Sequence, residues 1–556
     1  MLHIPNRFAT GLFWRFSCGR VGGIQNMTPD QRALDRSHSV LRYLLDRHAA
    51  ERPAAPFVHF WPSTEWDYKT TRDRVRQRAA TLQSHGVKRG HHVLCFMGNG
   101  PDLLTTWFAI NYIGAVYVPI NTAALGRSLE HILGDADAAL MVAHADLVER
   151  LLDVAPGKLR KVLVVEGSAS CAIAGVEILP LTDVETVSES ELALDTPIEP
   201  WDTLAIMYTS GTTGNAKGVV TSYVQLYTMG PDAFECVDET DRCMICGPIF
   251  HCGSTLYVYA MLARGLSIGM MREFKTQHFW QAVRETNSTY CLLLGVMASF
   301  LLKQPVSPDD RNHPLRRAFI TPFGEDGPLF AARFGVEAWT IYNMTEIASP
   351  LVAGPGISQK GIAGTPRPWY QLRIVDENDI ELPDGTAGEL VIRSDRPWAL
   401  MKGYYNNPKA TVEAMRNGWF HTGDSFRKDE NGVYFFVDRL KDIIRRRGEN
   451  ISSFALEAEV LFHDSVKECA AIAVPSELSE DEVLIAVTPV EGHQINAGEL
   501  LEFLTGRLPR FMVPRYVRIL DSLPKTSSGK IQKHILRSQG ITGDTIDRDF
   551  NAKRAS

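Results

Sequence analysis

Tyr208-Thr-Ser-Gly-Thr-Thr-Gly-Asn-Ala-Lys-Gly218 is the stretch from which the rest of the chain is read. Three glycines, two of them flanking paired threonines, allow tight backbone curvature. Successive N–H groups in such a turn form a concavity that suits an anion, and the hydroxyls add donors. Lys217 then sets a positive charge against phosphate. The spacing is not the G-x-x-x-x-G-K-[ST] of the P-loop, and glycine-rich segments also serve as plain polar loops. The residues alone therefore leave a phosphate loop and an ordinary loop as two readings.

Outward from this loop, helical and strand patterns alternate. Apolar residues at helical spacing mark residues 39–48 and 72–83 as amphipathic helices. In the second, arginines at alternate positions read most simply as a solvated face. Residues 92–96 and 115–120 read as strands around a helix at 101–110. This alternation argues α/β layers over a mainly parallel sheet. After Lys360 short alternating strands take over at 371–376, 388–393 and 432–438, with Pro-Asp-Gly and Glu-Asn-Gly turns between them. A β-rich, barrel-like subdomain follows from that texture. Beyond residue 440 mixed patterns resume, and residues 541–556 read as a loose polar tail.

Bulk properties narrow the class. At 556 residues the chain holds three to four units of about 150 residues each. Lys plus Arg number 58 against 65 Asp plus Glu, so a general polyanion binder is not expected, and no nucleic-acid partner. Cys243 and Cys246 form a C-x-x-C without the second pair that a zinc site wants; they read as buried reduced thiols, which suggests a reducing compartment. The charge-free stretches 103–126 and 243–263 are broken by Asn, Gly, Pro and His, and each reads as a buried helix and strand, not a transmembrane segment. Residues 1–35 form an N-terminal extension. Arg7, Arg15 and Arg20 precede the first acid, Asp30, as in a transit peptide; a start at Met27 is the simpler reading, and the expected location is cytoplasmic.

Together with four further segments in the same order, the opening stretch resembles the adenylate-forming enzymes: acyl-CoA synthetases, luciferases and peptide-synthetase adenylation domains. These segments are Tyr342-Asn-Met-Thr-Glu346, Gly418-Trp-Phe-His-Thr-Gly-Asp424, Asp438-Arg-Leu-Lys-Asp-Ile-Ile-Arg445 and Pro524-Lys-Thr-Ser-Ser-Gly-Lys530. The resemblance covers about residues 36–537. It implies an AMP-binding domain over 36–440 and a mobile α+β C-terminal domain over 441–540. It also implies an ATP-dependent ligase that joins a small-molecule carboxylic acid to CoA through an acyl-adenylate, with Mg²⁺. Thr209, Ser210, Gly211, Thr212, Thr213, Gly214 and Lys217 would wrap the β- and γ-phosphates. Thr345 would meet the α-phosphate, Tyr342 would stack on adenine, and Glu346 would hold Mg²⁺, a hard cation suited to carboxylate oxygen. Asp424 and Arg439 would fix the ribose. Lys530 would stabilise charge at the transferring phosphoryl group. Lys441 would be the hinge.

The same resemblance places Gly448 beside the pantetheine path and brings Arg445 to CoA or pyrophosphate. For Arg446 and Arg447, phosphate contact and a solvated basic edge stay equally open. Phe250, His251, Trp339 and Asn343 are the acyl-pocket candidates, with Tyr257 and Tyr259 as further aromatic walls or as core. Four positions depart from the family pattern: Ala216 for proline, Asn343 for glycine, residues 320–326 for a Gly-Gly-Ala segment, and Arg445 for lysine. The run Arg446-Arg-Gly-Glu-Asn-Ile-Ser452 and the missing Gly-Gly-Ala resemble the carnitine/crotonobetaine-CoA ligase branch. A carrier-protein acceptor, a non-catalytic nucleotide- or acyl-binding protein, and a homo-oligomer remain open, and the acid is not named by these residues.

Overall fold

The structure is a computed structural model that describes residues 32–188, 190–209, 216–446, 449–476, 481–526 and 529–548. Its first layer is a seven-stranded sheet ordered Glu177–Pro180, Lys161–Val165, Leu140–His144, His92–Phe96, Val116–Pro119, Thr203–Thr209, Lys217–Ser222. All pairs but the last are parallel, and the last two strands pair antiparallel. The strands are apolar on both faces because helices cover both, as parallel sheets require.

A second sheet has thirteen strands. One half is a parallel α/β layer built from Pro56–Phe60, Ser267–Met270, Arg242–Ile245, Tyr290–Leu294, Arg317–Thr321 and Glu337–Met344. The other half is antiparallel and runs from Glu337–Met344 through Ala348–Ala353, Ile362–Pro366, Tyr434–Arg439, Phe420–Lys428 and Gly388–Ser394 to Tyr370–Val375. The β-rich subdomain is thus joined to the second α/β layer by unbroken strand pairing. The C-terminal part has its own four-stranded sheet and its own core around Ile444, Leu456, Ile485 and Val517.

Several expectations change at the level of single residues. The helix read as 72–83 spans Tyr68–Ser84, because Asp67 caps it by accepting from the Thr70 N–H at 2.6 Å. Its arginine row is a solvated face only in its first half: Arg74 is exposed and Arg72 half-buried. Arg78 is buried and donates to Asp183, to Asp102 at 2.8 Å and to Thr106, and Arg76 is buried as well. The tail is not wholly loose either: Thr545–Asp547 pairs with Tyr516–Ile519 as the edge strand of the C-terminal sheet. Cys243 and Cys246 are buried, their thiols directed at backbone carbonyls, and desolvation raises both pKa values. Among the described residues no helix is long and apolar enough to cross a membrane.

Candidate active site

A cleft of about 940 Å³ opens at the carboxyl ends of the parallel strands, where open α/β sheets hold ligands. Tyr208, Thr321, Asn343, Asp424, Arg439 and Lys530 all line it, so residues from both sheets and the C-terminal part converge. A smaller cavity of about 320 Å³ sits at the opposite ends of the second sheet, beside Arg52 and Asp241, and gathers none of the motif residues.

The strand Glu337–Met344 turns sharply into Ala348–Ala353, and that corner carries the acid-and-hydroxyl cluster. Thr345 and Glu346 are both buried there. The Thr345 hydroxyl donates to the Cys252 Sγ at 3.0 Å. Glu346 Oε1 accepts from the Tyr404 hydroxyl at 3.0 Å, and its backbone carbonyl accepts from the Met401 N–H at 2.8 Å. Burial raises the Glu346 carboxyl pKa, with Tyr404 and Lys217 partly opposing. A buried carboxylate under that pressure, beside a threonine hydroxyl, fits a hard cation: Glu346 is the residue that would hold Mg²⁺.

On the facing strand Phe420–Lys428, Asp424 accepts from the Tyr342 hydroxyl at 2.8 Å, and the Arg439 Nε lies 3.8 Å from its other oxygen. Burial raises the Asp424 pKa against the pull of Arg439. Tyr342 packs edge-on against Phe426 at 4.8 Å between ring centres. Thr321, Pro322 and Phe323 also reach the cleft, so the segment that replaces the expected Gly-Gly-Ala lies at the site. Ala216 lines the cleft as well, its carbonyl accepting from the His131 ring at 2.8 Å.

Lys530 enters from the C-terminal part on a turn in which its N–H donates to the Thr526 hydroxyl at 3.1 Å. The side chain is open to solvent on one side, yet its ammonium faces Asp424, Glu346 and Arg439. Desolvation and then Arg439 lower its pKa, while the carboxylates oppose. Lys441 is exposed in a single helical turn at Leu440–Asp442, its amine lowered to about 8 by partial burial and by Arg439. Asp438, just before it, accepts from the Ser453 and Phe454 N–H groups, tying the two parts together.

Other candidates divide. Thr209 borders the cleft-side hairpin, its hydroxyl 3.4 Å from the Lys217 carbonyl, but Ser210, Gly211, Thr212, Thr213 and Gly214 lie outside the described residues, as do Arg447 and Gly448. Arg445 is exposed and its N–H donates to Asp481. Arg446 is neither at a phosphate site nor on a solvated edge: it is 1% exposed and pairs with Glu482 at 2.7 Å. Phe250, His251 and Asn343 line the cleft. Trp339 does not: it packs on Gly354 and Phe319. Tyr257 and Tyr259 are core residues, Tyr257 stacked on Phe234 at 4.5 Å.

His251 is held neutral. Burial, then the Lys530 charge, lowers its pKa to about 4. Between pH 6.5 and 4 the unfolded chain binds a proton here that the folded chain refuses, so the contribution is complete above pH 6.5 and drains away as pH falls. Urea midpoints measured from pH 7.5 to 4.5 should drop more steeply for the wild type than for His251→Gln, by up to ~1.4 kcal/mol per unit. Parallel curves would remove this assignment.

One positioning residue had no sequence signal beyond its place at the carboxyl end of a strand. Asn99 is buried; its amide donates to the carbonyls of Gly247 at 2.9 Å and Met271 at 3.1 Å, and its oxygen accepts from the Ile249 N–H at 2.9 Å. It thereby pins the turn that delivers Phe250 and His251 to the cleft. Asn99→Ala leaves these groups unpaired and should cost about 2–3 kcal/mol in urea denaturation. With the substrates that the resemblance implies, the KM for the acid should rise more than that for ATP; equal changes would argue for a purely structural role.

The sequence of the AMP-binding enzyme family matches residues 45–405, and that of the AMP-binding enzyme C-terminal domain matches 455–530. The chain belongs to the AMP-binding enzyme family. Among the relatives of this AMP-binding enzyme are crotonobetaine/carnitine–CoA ligases of Citrobacter koseri and Proteus mirabilis. They are 30% and 28% identical over 485 and 489 residues, spanning 85% of this chain and 93% of theirs in each case. Its fold is that of the anthranilate CoA ligase AuaEII, solved with anthranoyl-AMP (TM-score 0.75, 20% identity, 90% of this chain and 97% of that one). It is also that of ATP-bound MatB from Rhodopseudomonas palustris (TM-score 0.72, 24% identity, 89% and 98%).

Proposed function

We propose that this AMP-binding enzyme is an acid–CoA ligase that forms an acyl-adenylate and then a thioester. The observation that carries the reading is the arrival of Lys530, from the C-terminal part, in the cleft lined by Tyr342, Asn343, Asp424 and Arg439, with the charge of Glu346 acting on its ammonium. A carboxylate attacking the α-phosphorus of ATP brings negative charge onto negative charge. An ammonium fixed at that point offsets the repulsion in the approach and in the transition state. Asp424, with Arg439 beside it, offers an acceptor for ribose hydroxyls. Lys217, at the head of the strand Lys217–Ser222, supplies positive charge for the outer phosphates. Mg²⁺, when held by Glu346, would neutralise phosphate charge.

The second half-reaction needs a thiol where Lys530 stands. Polar contacts tie the parts together across Lys441, namely Asp438 to the Ser453 and Phe454 N–H groups, the Ser452 hydroxyl to the Val437 carbonyl at 2.7 Å, and Lys360 to Glu459 at 3.6 Å, beside one ring contact, Phe436 edge-on to Phe454 at 5.7 Å. Such polar contacts exchange readily with water, which suits rotation about Lys441. The acid belongs beside Phe250, His251 and Asn343, and the crotonobetaine/carnitine ligases are the relatives from which a first panel is chosen. Acid-dependent exchange of labelled pyrophosphate into ATP, run over short-chain, betaine-type, aromatic and fatty acids, tests the reading. CoA-dependent AMP release with the responding acid then identifies the acceptor. No exchange with any acid sinks it; exchange without CoA-dependent release points to a carrier protein.

A further inference from the structure

Two opposite charges meet near one phenol at the corner that carries Glu346. The Tyr404 hydroxyl donates to Glu346 Oε1 at 3.0 Å, and the Lys217 Nζ sits 4.8 Å from the centre of the Tyr404 ring. Lys217 and Glu346 belong to segments far apart in the chain, and among the described residues they make no ion pair with each other. Left unseparated, an ammonium and a carboxylate in such partly buried surroundings would close on one another, since their attraction is poorly screened there. Each would then be unavailable to a ligand.

Tyr404 is held firmly enough to keep them apart. Its segment runs as an added strand beside Lys217–Ser222: the Val220 N–H donates to the Gly403 carbonyl at 3.0 Å, the Lys402 N–H to the Val220 carbonyl at 3.0 Å, and the Tyr405 N–H to the Gly218 carbonyl at 2.7 Å. The Tyr404 N–H donates to the Thr411 hydroxyl at 2.9 Å, and the Met401 N–H ties the same segment to the Glu346 backbone. The phenol offers the two charges different faces, a hydroxyl to the carboxylate and a π-face to the ammonium.

We propose that Tyr404 is a positioning residue that holds Glu346 and Lys217 apart, so that the carboxylate meets Mg²⁺ and the ammonium meets the polyphosphate of the same nucleotide. This rests on the ligase reading above, in that ATP is the nucleotide. It needs no turnover to test. Calorimetric titration of ATP without acid, in Mg²⁺ or in EDTA, separates the two contacts. Tyr404→Phe keeps the ring and loses the hydroxyl; ATP binding should weaken about tenfold in Mg²⁺ and stay within twofold in EDTA. Tyr404→Leu also loses the π-face and should weaken binding a further two- to fivefold in both conditions. Tyr404→Phe binding Mg·ATP like the wild type, or losing equally with and without metal, overturns the inference alone. A wild-type protein that binds no ATP in either condition overturns it together with the ligase reading.

Discussion

Lys530→Ala should lower acid-dependent ATP–pyrophosphate exchange by at least ~10²-fold, the scale of one lost electrostatic stabiliser in a water-poor site. The geometry gives the reason. The ammonium faces Asp424, Glu346 and Arg439, where the transferring phosphoryl group would lie. Thioester formation from a supplied acyl-adenylate should be nearly unchanged, because that step begins after the phosphoryl chemistry is over. Equal losses in both half-reactions would contradict the assignment. A loss confined to the KM for ATP would make Lys530 a ground-state binding group instead.

Arg446→Ala should destabilise the C-terminal domain by about 3–5 kcal/mol, the usual result of removing one partner from a buried ion pair. Arg446 pairs with Glu482 at 2.7 Å and also donates to the carbonyls of Phe511 at 2.9 Å and Val513 at 3.0 Å. Truncation leaves the Glu482 carboxylate buried without its cation, takes a donor from the Phe511 carbonyl, and leaves the Val513 carbonyl only the longer bond from Arg548 at 3.4 Å. Hydrogen exchange followed by domain should show lost protection over 481–519 with the sheets of the large part unaffected. The double variant Arg446→Met, Glu482→Leu should recover most of the loss, since a well-packed apolar pair often replaces a buried ion pair at little cost. A fully stable Arg446→Ala protein with weakened CoA binding would return this arginine to the phosphate role its neighbours in sequence suggest.

These two residues show where sequence reading succeeds and where it stops. Lys530 was legible because a Ser/Gly turn ending in lysine carries its context within seven residues, and the remaining motifs lie in the same order along the chain. Strands such as His92–Phe96 and the helix from Pro101 were legible for a related reason: a short apolar run, or a proline at a helix start, is a local signal. Arg446 was not legible. Three consecutive arginines look like a basic edge, and only Glu482, brought alongside by the C-terminal sheet, makes the middle one a core residue. Arg78 repeats the lesson, with partners 24 and 105 residues away. Asn99 is a stronger case, since the groups it satisfies lie 148 to 172 residues on.

The sequence by itself determined the α/β class, the place of the β-rich part, the family and the chemical type of each cleft residue, because periodicity, turn residues and motif order are properties of neighbouring positions. Tertiary structure alone decided which charges are buried, which aromatics face the cleft and which side chain stands between Glu346 and Lys217. A charge in a folded chain is defined by its partner and by the water it has lost, and both come from strands that meet only when the two sheets and the C-terminal domain close around one site.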